Sequence, residues 1–251
     1  MPLPASQLDH CPLPQAVRTV ITGIYVAAEI GSFPANGAPT AIFKTAVHKR
    51  VKIGREGIVG DHQADSRVHG GPEKAVHHHA ATNYPKLAAR FAEIAAALVT
   101  GSIGENLSAS GIDETVVAIG GIFAIGSAHL QVCQPRSPCW KIDARYGVAG
   151  VAKYISDYCY NGWYYRVLEA GDTAVGDELI LLERNADPVF IDEFWIRWRE
   201  RPPDVDKLAR FLATPGLASV WQRYLTERLA FLRNHPSTNA PVVPAVHARR
   251  D

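Results

Sequence analysis

Short apolar, β-branched runs cut by glycine constrain this chain more than any other feature. Residues 116–119, Ile122–Ile125 and 129–133 are apolar pieces broken at Gly120-Gly121 and Gly126-Ser127. Pieces this short match strands, and the glycines supply turn conformations that other residues adopt at a cost. Residues 17–27 and 41–47, Trp163–Glu169 and Glu178–Glu183 read as further strands, with turn chemistry over 170–177. Helical spacing appears only in inserts. Leu87, Phe91, Ile94 and Leu98 mark a helix over 83–98 with Asn83 as its N-cap, and a short helix falls within 143–160. Strands following strands, with helices as insertions, do not build an alternating α/β sheet. They predict a mainly β architecture with helices (α+β), a barrel or a sandwich, over residues 17–185.

The pattern changes at Asn185. Asp187-Pro188, Asp204 and Thr214-Pro215 are helix-start signals, each ahead of apolar residues at helical spacing such as Phe194, Trp198, Phe211, Trp221 and Leu225. Residues 186–233 are expected to form a small three-helix domain. At the lower limit for folding alone, it should pack on the β unit. A flexible arm over 1–16 and a Pro- and Ala-rich disordered tail over 234–251 complete the expected organisation.

Charge and cysteine usage narrow the function. Lys and Arg number 26 against 25 Asp and Glu, so no overall field recruits nucleic acid or an acidic membrane. No apolar run approaches membrane-spanning length, and residues 1–15 lack a secretory pattern. Cys11, Cys133, Cys139 and Cys159 form no CxxC pair and no disulfide-dense spacing. That usage points to free thiols in a reducing, cytoplasmic setting.

Chemistry concentrates in loops. Gln134-Pro135-Arg136-Ser137-Pro138-Cys139-Trp140-Lys141 follows the 129–133 run. Its prolines forbid a continued ladder and stiffen the loop. Arg136 and Lys141 there would favour a thiolate, the form that ligates metals and attacks electrophiles, although a cysteine packed inward fits the same residues. Gly60-Asp61-His62-Gln63-Ala64-Asp65 and Val68-His69-Gly70-Gly71-Pro72-Glu73-Lys74 form a second block. Its adjacent glycines can present bare amides to an anion, with Lys74 close by. Gly104-Glu105-Asn106-Leu107 is a third glycine-bearing loop. His77, His78 and His79 alternate faces if they lie on a strand, so at most two of them share a metal. The simpler reading is buried histidines near a polar pocket.

Together and in this order, the 60–72 block, the 104–107 loop and the cysteine loop resemble the MOSC family, named for the molybdenum cofactor sulfurase C-terminal domain. The likeness spans about 17–235 and is greatest to the stand-alone bacterial proteins of the YiiM type, which carry a C-terminal three-helix unit. It implies a β-barrel with peripheral helices and a molybdenum cofactor (molybdopterin) whose metal takes Cys139 as its protein ligand. It also implies two-electron reduction of N-hydroxylated compounds, such as 6-N-hydroxylaminopurine, hydroxylamines and amidoximes, to amines and water. On the matching motifs, Arg136, Ser137 and Lys74 are expected at the pterin phosphate, with Gly70 and Gly71 letting amides approach. Pro138 belongs to the same cofactor loop. His69 and Asn106 are expected at ring heteroatoms, and Asp61 and Asp65 as orienting groups. Trp140 or Tyr146 would wall the substrate pocket. A separate electron-donor protein is expected, since no flavin, haem or iron–sulfur motif is recognisable. Two alternatives use the same residues: a molybdopterin or sulfur carrier without turnover, and a cysteine-nucleophile enzyme pairing Cys139 with His69 or His129. Cys133, on the incoming strand, competes with Cys139 as the reactive thiol.

Overall fold

The structure, a computed structural model, describes residues 17–235. The expected N-terminal arm and nearly all of the expected tail lie outside the described residues. In chain order the strands are β1 (Arg18–Val26), β2 (Gly31–Ser32), β3 (Pro39–Thr40), β4 (Thr45–Ala46), β5 (Val51–Gly54), β6 (Gly57–Ile58), β7 (Val76–Ala80), β8 (Leu107–Ala109), β9 (Ile122–Ile125), β10 (Ala128–Pro135), β11 (Trp163–Glu169), β12 (Gly171–Thr173) and β13 (Glu178–Glu183). The α-helices are α1 (Ser66–His69), α2 (Asn83–Arg90), α3 (Trp140–Tyr146), α4 (Val151–Asp157), α5 (Ile191–Arg199), α6 (Val205–Leu212) and α7 (Ser219–Asn234).

Seven strands in the order β13-β9-β10-β11-β7-β8-β1 close into a barrel through the antiparallel pairing of β1 with β13. Closure removes the open edges that would otherwise invite association. Among these pairs β7 and β8 run parallel, with His78 opposite Leu107. The β9–β10 hairpin turns at Gly126-Ser127, where Gly126 takes φ 54° and a Cβ would strike the Asp172 carbonyl. Phe123, Trp163, Tyr165 and His78 fill the interior; the His78 and Trp163 rings lie 4.5 Å apart. Burial pushes the His78 ring down to a pKa of about 3, so it sits there neutral.

β10 begins with alternating burial and ends fully buried, because its outer face there is covered by the 72–74 turn and the approach to α7. Helices α5 to α7 share one apolar core with the barrel. Among the helices Trp221 gathers the aromatic rings, with Phe194, Trp195 and Trp198 edge-on at 4.8, 5.5 and 5.2 Å. A second apolar cluster lies under α2, α3 and α4. No helix among the described residues is long and apolar enough to cross a membrane.

Several local expectations need correction. Residues 41–47 are not one strand; only Thr45–Ala46 pairs, and 41–44 is irregular. Residues 116–119 form no strand, only a bridge from Ala118 to Phe190. The 83–98 helix breaks at Phe91 into α2 and a 3-10 stretch, Ala92–Ala97. Asn83 is not its N-cap. Thr82 holds that position, and Asn83 instead donates to buried Glu114. The short helix expected within 143–160 is α4, and a further helix, α3, precedes it, parted from it by Gly147 and Gly150 in left-handed conformations. Asp187 lies ahead of α5 and pairs with Arg210, and α7 starts after Ala218, not at Thr214-Pro215. Asp204 does cap α6, accepting from the Lys207 amide at 3.0 Å.

Glu114 yields a pH prediction. Fully enclosed, it accepts bonds from Asn83 Nδ2 and the Gly162 amide, yet burial outweighs them and raises its pKa to about 7. A carboxyl raised in the folded state contributes stability that is complete below its unfolded pKa of about 4.5 and lost as pH climbs through 7. Chemical unfolding between pH 4.5 and 7.5 should therefore show a decline of up to about 3 kcal/mol. Glu114→Gln should flatten it.

Candidate active site

A cleft with a cavity of about 80 Å³ opens where the 40–44 and 61–64 loops, α1, the start of β7 and the cysteine loop meet. β10 stops at Pro135, and two residues past Arg136 and Ser137 the chain turns into α3. Cys139 occupies the position before that helix, with extended backbone. Its side chain makes no capping bond and lines the cleft. Cys133 is different. Still on β10, it is wholly enclosed, its thiol donating to the Glu73 carbonyl at 3.0 Å, and burial pushes its pKa up to about 12. Cys159 is likewise buried and pushed up to about 11. The end of the strand separates a structural thiol from one that is buried, at 6 % exposed, yet lines the cleft, a distinction that spacing alone did not make.

Arg136 is held by its backbone. Its amide donates to the Gly162 carbonyl at 3.0 Å, and its carbonyl accepts from Asn161 Nδ2 at 3.0 Å. The side chain, on a residue 5 % exposed, makes a long bond from Nη2 to the Ile103 carbonyl at 3.4 Å and interacts with the Tyr164 hydroxyl. Its Nη1 is buried with no partner among the described residues. Neighbouring Tyr164, also in the cleft wall, is pushed up by burial and pulled back by Arg136. A buried guanidinium with so few acceptors is costly until an anion supplies them.

Further cations line the cleft. Burial lowers the pKa of Lys74, whose ammonium donates to the Val68 carbonyl. Lys141 donates to the Pro39 carbonyl at 2.9 Å. Lys44 forms a buried pair with Asp61, their side chains 7 and 2 % exposed; desolvation lowers the Lys44 pKa while Asp61 opposes the shift. Asp61 also accepts from the Ala27 amide at 2.7 Å and from Asn106 Nδ2 at 2.8 Å. Asn106 Oδ1 accepts from the His77 amide at 3.0 Å. His77 lines the cleft as a neutral ring, its pKa held far below 6.5 by burial and by Arg136.

Of the residues expected at a cofactor, His69, Lys74, Asn106, Arg136 and Cys139 line this one cleft, as does Asp61. Asn106, however, is no free donor, since both its Nδ2 bonds, to Asp61 and the Tyr25 carbonyl, and its Oδ1 bond are internal. It orients the wall. Gly70, Gly71, Ser137 and Pro138 are not among the lining residues. Gly70 serves close packing, since a Cβ there would meet Ser66 Cα at 3.2 Å. Gly71 takes φ 89°, which admits the following turn. The Asp65 carbonyl starts α1 by accepting from the His69 amide at 2.8 Å. Neither Trp140 nor Tyr146 walls the cleft. Trp140 packs on Phe33, and the Tyr146 hydroxyl bonds Ser102 Oγ at 2.7 Å. Tyr164 is the aromatic wall instead. His129 pairs with Glu169 at the far end of β10, which removes it as a base for Cys139. Lys44, His62, Gln63, His77 and Tyr164 were not assigned to the site from the sequence. The polar-pocket reading of the histidine run pointed toward His77, and nothing local marked Lys44.

Among the described residues no group of three or more His, Cys, Asp or Glu side chains is placed to hold a metal ion. A metal beside Cys139 would therefore need most of its ligands from a carrier molecule. One soft thiolate with nearby cations suits a metal carried on an anionic, sulfur-bearing group.

Comparison with known proteins gives a family and solved relatives of the same fold. The model of the MOSC domain matches residues 65–180. Protein YiiM of Escherichia coli (strain K12) is 35% identical over 200 residues, covering 80% of this chain and 88% of that protein. A protein named "Reductase" from Gibberella moniliformis is 31% identical over 185 residues, 71% of this chain but 32% of that protein. The crystal structure of Escherichia coli YiiM superposes with a TM-score of 0.72 at 29% identity, covering 86% of this chain and 94% of the other. That of YiiM from Geobacillus stearothermophilus gives 0.71 at 25% identity, covering 84 and 99%.

Proposed function

Because this chain belongs to the MOSC domain family and is YiiM-like, a molybdenum-cofactor-related kind of protein, we propose that its cleft binds a molybdenum cofactor and reduces N-hydroxylated compounds. The observation that carries the reading is the pairing, in one cleft, of the Cys139 side chain with a buried Arg136 whose Nη1 lacks a partner among the described residues. Cys139 would ligate the metal. Arg136 and Lys74 would hold the anionic pterin phosphate, and His69 a polar edge of the ring. When bound, the cofactor supplies the two electrons that convert an N-hydroxylated compound and two protons into an amine and water.

The chain's own contribution is binding and order. Asp61 fixes Lys44 and Asn106, and Asn106 in turn fixes the backbone of His77. Tyr164 offers an apolar face for a planar substrate such as 6-N-hydroxylaminopurine. Electrons would reach the cleft from a separate donor protein. The "Reductase" relative supports this class of reaction without naming its substrate.

The test is reduction of 6-N-hydroxylaminopurine by dithionite and a viologen, using protein expressed with molybdate. Turnover in the wild type and its loss in Cys139→Ser are expected. Bound molybdenum without turnover would favour a carrier. Turnover by metal-free protein, abolished by alkylation, would favour a thiol enzyme.

A further inference from the structure

One side chain ties the cleft to the C-terminal helices. α7 begins behind Ala218, which has no side-chain oxygen to cap it. The acceptor comes instead from Glu73, 146 positions away in sequence. Its carboxylate accepts from the Ser219 amide at 3.0 Å and the Ser219 hydroxyl at 2.6 Å. Negative charge at that end also complements the helix dipole. The same carboxylate pairs with Arg166 of β11 at 2.8 Å. The Glu73 backbone carbonyl accepts from Gln134 Nε2 at 2.7 Å and from the Cys133 thiol at 3.0 Å, both on β10. The 72–74 turn is thus pinned to two barrel strands and one helix through a single residue. The next residue, Lys74, lies in the cleft wall.

We propose that Glu73 is a positioning residue: it uses the start of α7 as an anchor that sets Lys74 in the cleft, so the C-terminal helices serve the site as well as the core. The proposal takes from the reading above only that Lys74 faces a bound anion. The positioning itself is open to test without any cofactor.

The full-length chain would be acetylated under native conditions with an N-hydroxysuccinimide ester, and Lys74 and Lys44 labelling followed by mass spectrometry. Glu73→Ala should speed Lys74 labelling about fivefold or more, the ratio that a local destabilisation of about 1 kcal/mol gives, with Lys44 unchanged. Glu73→Gln, which keeps an acceptor for the Ser219 amide, should show a smaller rise. Asp187→Ala breaks the Asp187–Arg210 pair in the same helical unit and should leave Lys74 at the wild-type rate. Unchanged Lys74 labelling in Glu73→Ala, or an equal rise at Lys44, overturns the proposal. Molybdenum content is read separately on the same proteins. A clear Lys74 effect in a protein that never binds molybdenum would sink the cofactor reading and leave the anchor standing.

Discussion

Arg136→Met should raise the melting temperature of the cofactor-free protein while weakening its hold on the cofactor. The two effects share one cause. Arg136 is buried, its guanidinium has one long backbone bond and the Tyr164 hydroxyl beside it, and Nη1 has no acceptor among the described residues. Without an anion the folded state bears the cost of a desolvated charge, and replacing such a charge by an apolar side chain of similar length is commonly neutral or stabilising by about 1–4 kcal/mol. For a domain of this size each kcal/mol moves the melting temperature by about 2–4 °C. With an anion present the guanidinium supplies charge-assisted bonds, and losing them should weaken binding by about 10–100-fold, equivalent to about 1.5–3 kcal/mol. Thermal melts of protein from a host that cannot make the cofactor, beside loading assays in a host that can, separate the effects. A lower melting temperature in the cofactor-free variant would make Arg136 a structural anchor.

Asp61→Ala should be the most destabilising change in the cleft, at about 3–5 kcal/mol in urea unfolding, and more damaging than Lys44→Met. Asp61 accepts from three donors, the Lys44 ammonium, the Ala27 amide and Asn106 Nδ2. Removing it leaves Lys44 charged in a nearly closed wall and frees the 40–44 loop. Lys44→Met removes the ammonium and leaves the buried Asp61 carboxylate, which still accepts from the Ala27 amide and Asn106 Nδ2, so its loss is the smaller of the two. The pH response follows. Burial already holds Lys44 below its ordinary 10.5, and Asp61 is what opposes that shift. Without Asp61 the folded-state pKa falls further, so the variant should recover stability as pH rises toward 10.5. A loss under 1 kcal/mol, or equal losses in both variants, would mean the pair is not desolvated.

The barrel was legible where period and punctuation agreed. Trp163–Glu169, Glu178–Glu183 and the hairpin around Gly126 stand as read, because short β-branched runs between glycines have few other solutions. Residues 41–44 misled because their alternation mimics a strand, while the segment is held by side chains, Lys44 to Asp61 and Arg145 to the Ile42 carbonyl. Those partners lie 17 and 103 positions away, beyond any local window. Asn83 shows the same limit. Its polar side chain suits a cap, but a buried carboxylate at 114 claims it. Cys139, Arg136, His69, Lys74 and Asn106, which line the cleft, were singled out through motifs. Lys44 and Tyr164 are visible only once the barrel brings distant segments together. The link from Glu73 to Ser219 has no sequence signature, since it joins an acid in one motif to a helix whose own cap position is alanine.

The measurement that bears most directly on the central claim is molybdenum stoichiometry. Wild type and Cys139→Ser would be purified from a cofactor-competent host grown with molybdate, and metal and protein quantified on the same samples. Cys133→Ser would serve as the thiol control. The account predicts near-stoichiometric molybdenum in the wild type, retention in Cys133→Ser within its folded fraction, and loss in Cys139→Ser. Equal molybdenum in wild type and Cys139→Ser, or none in folded wild type, would contradict it.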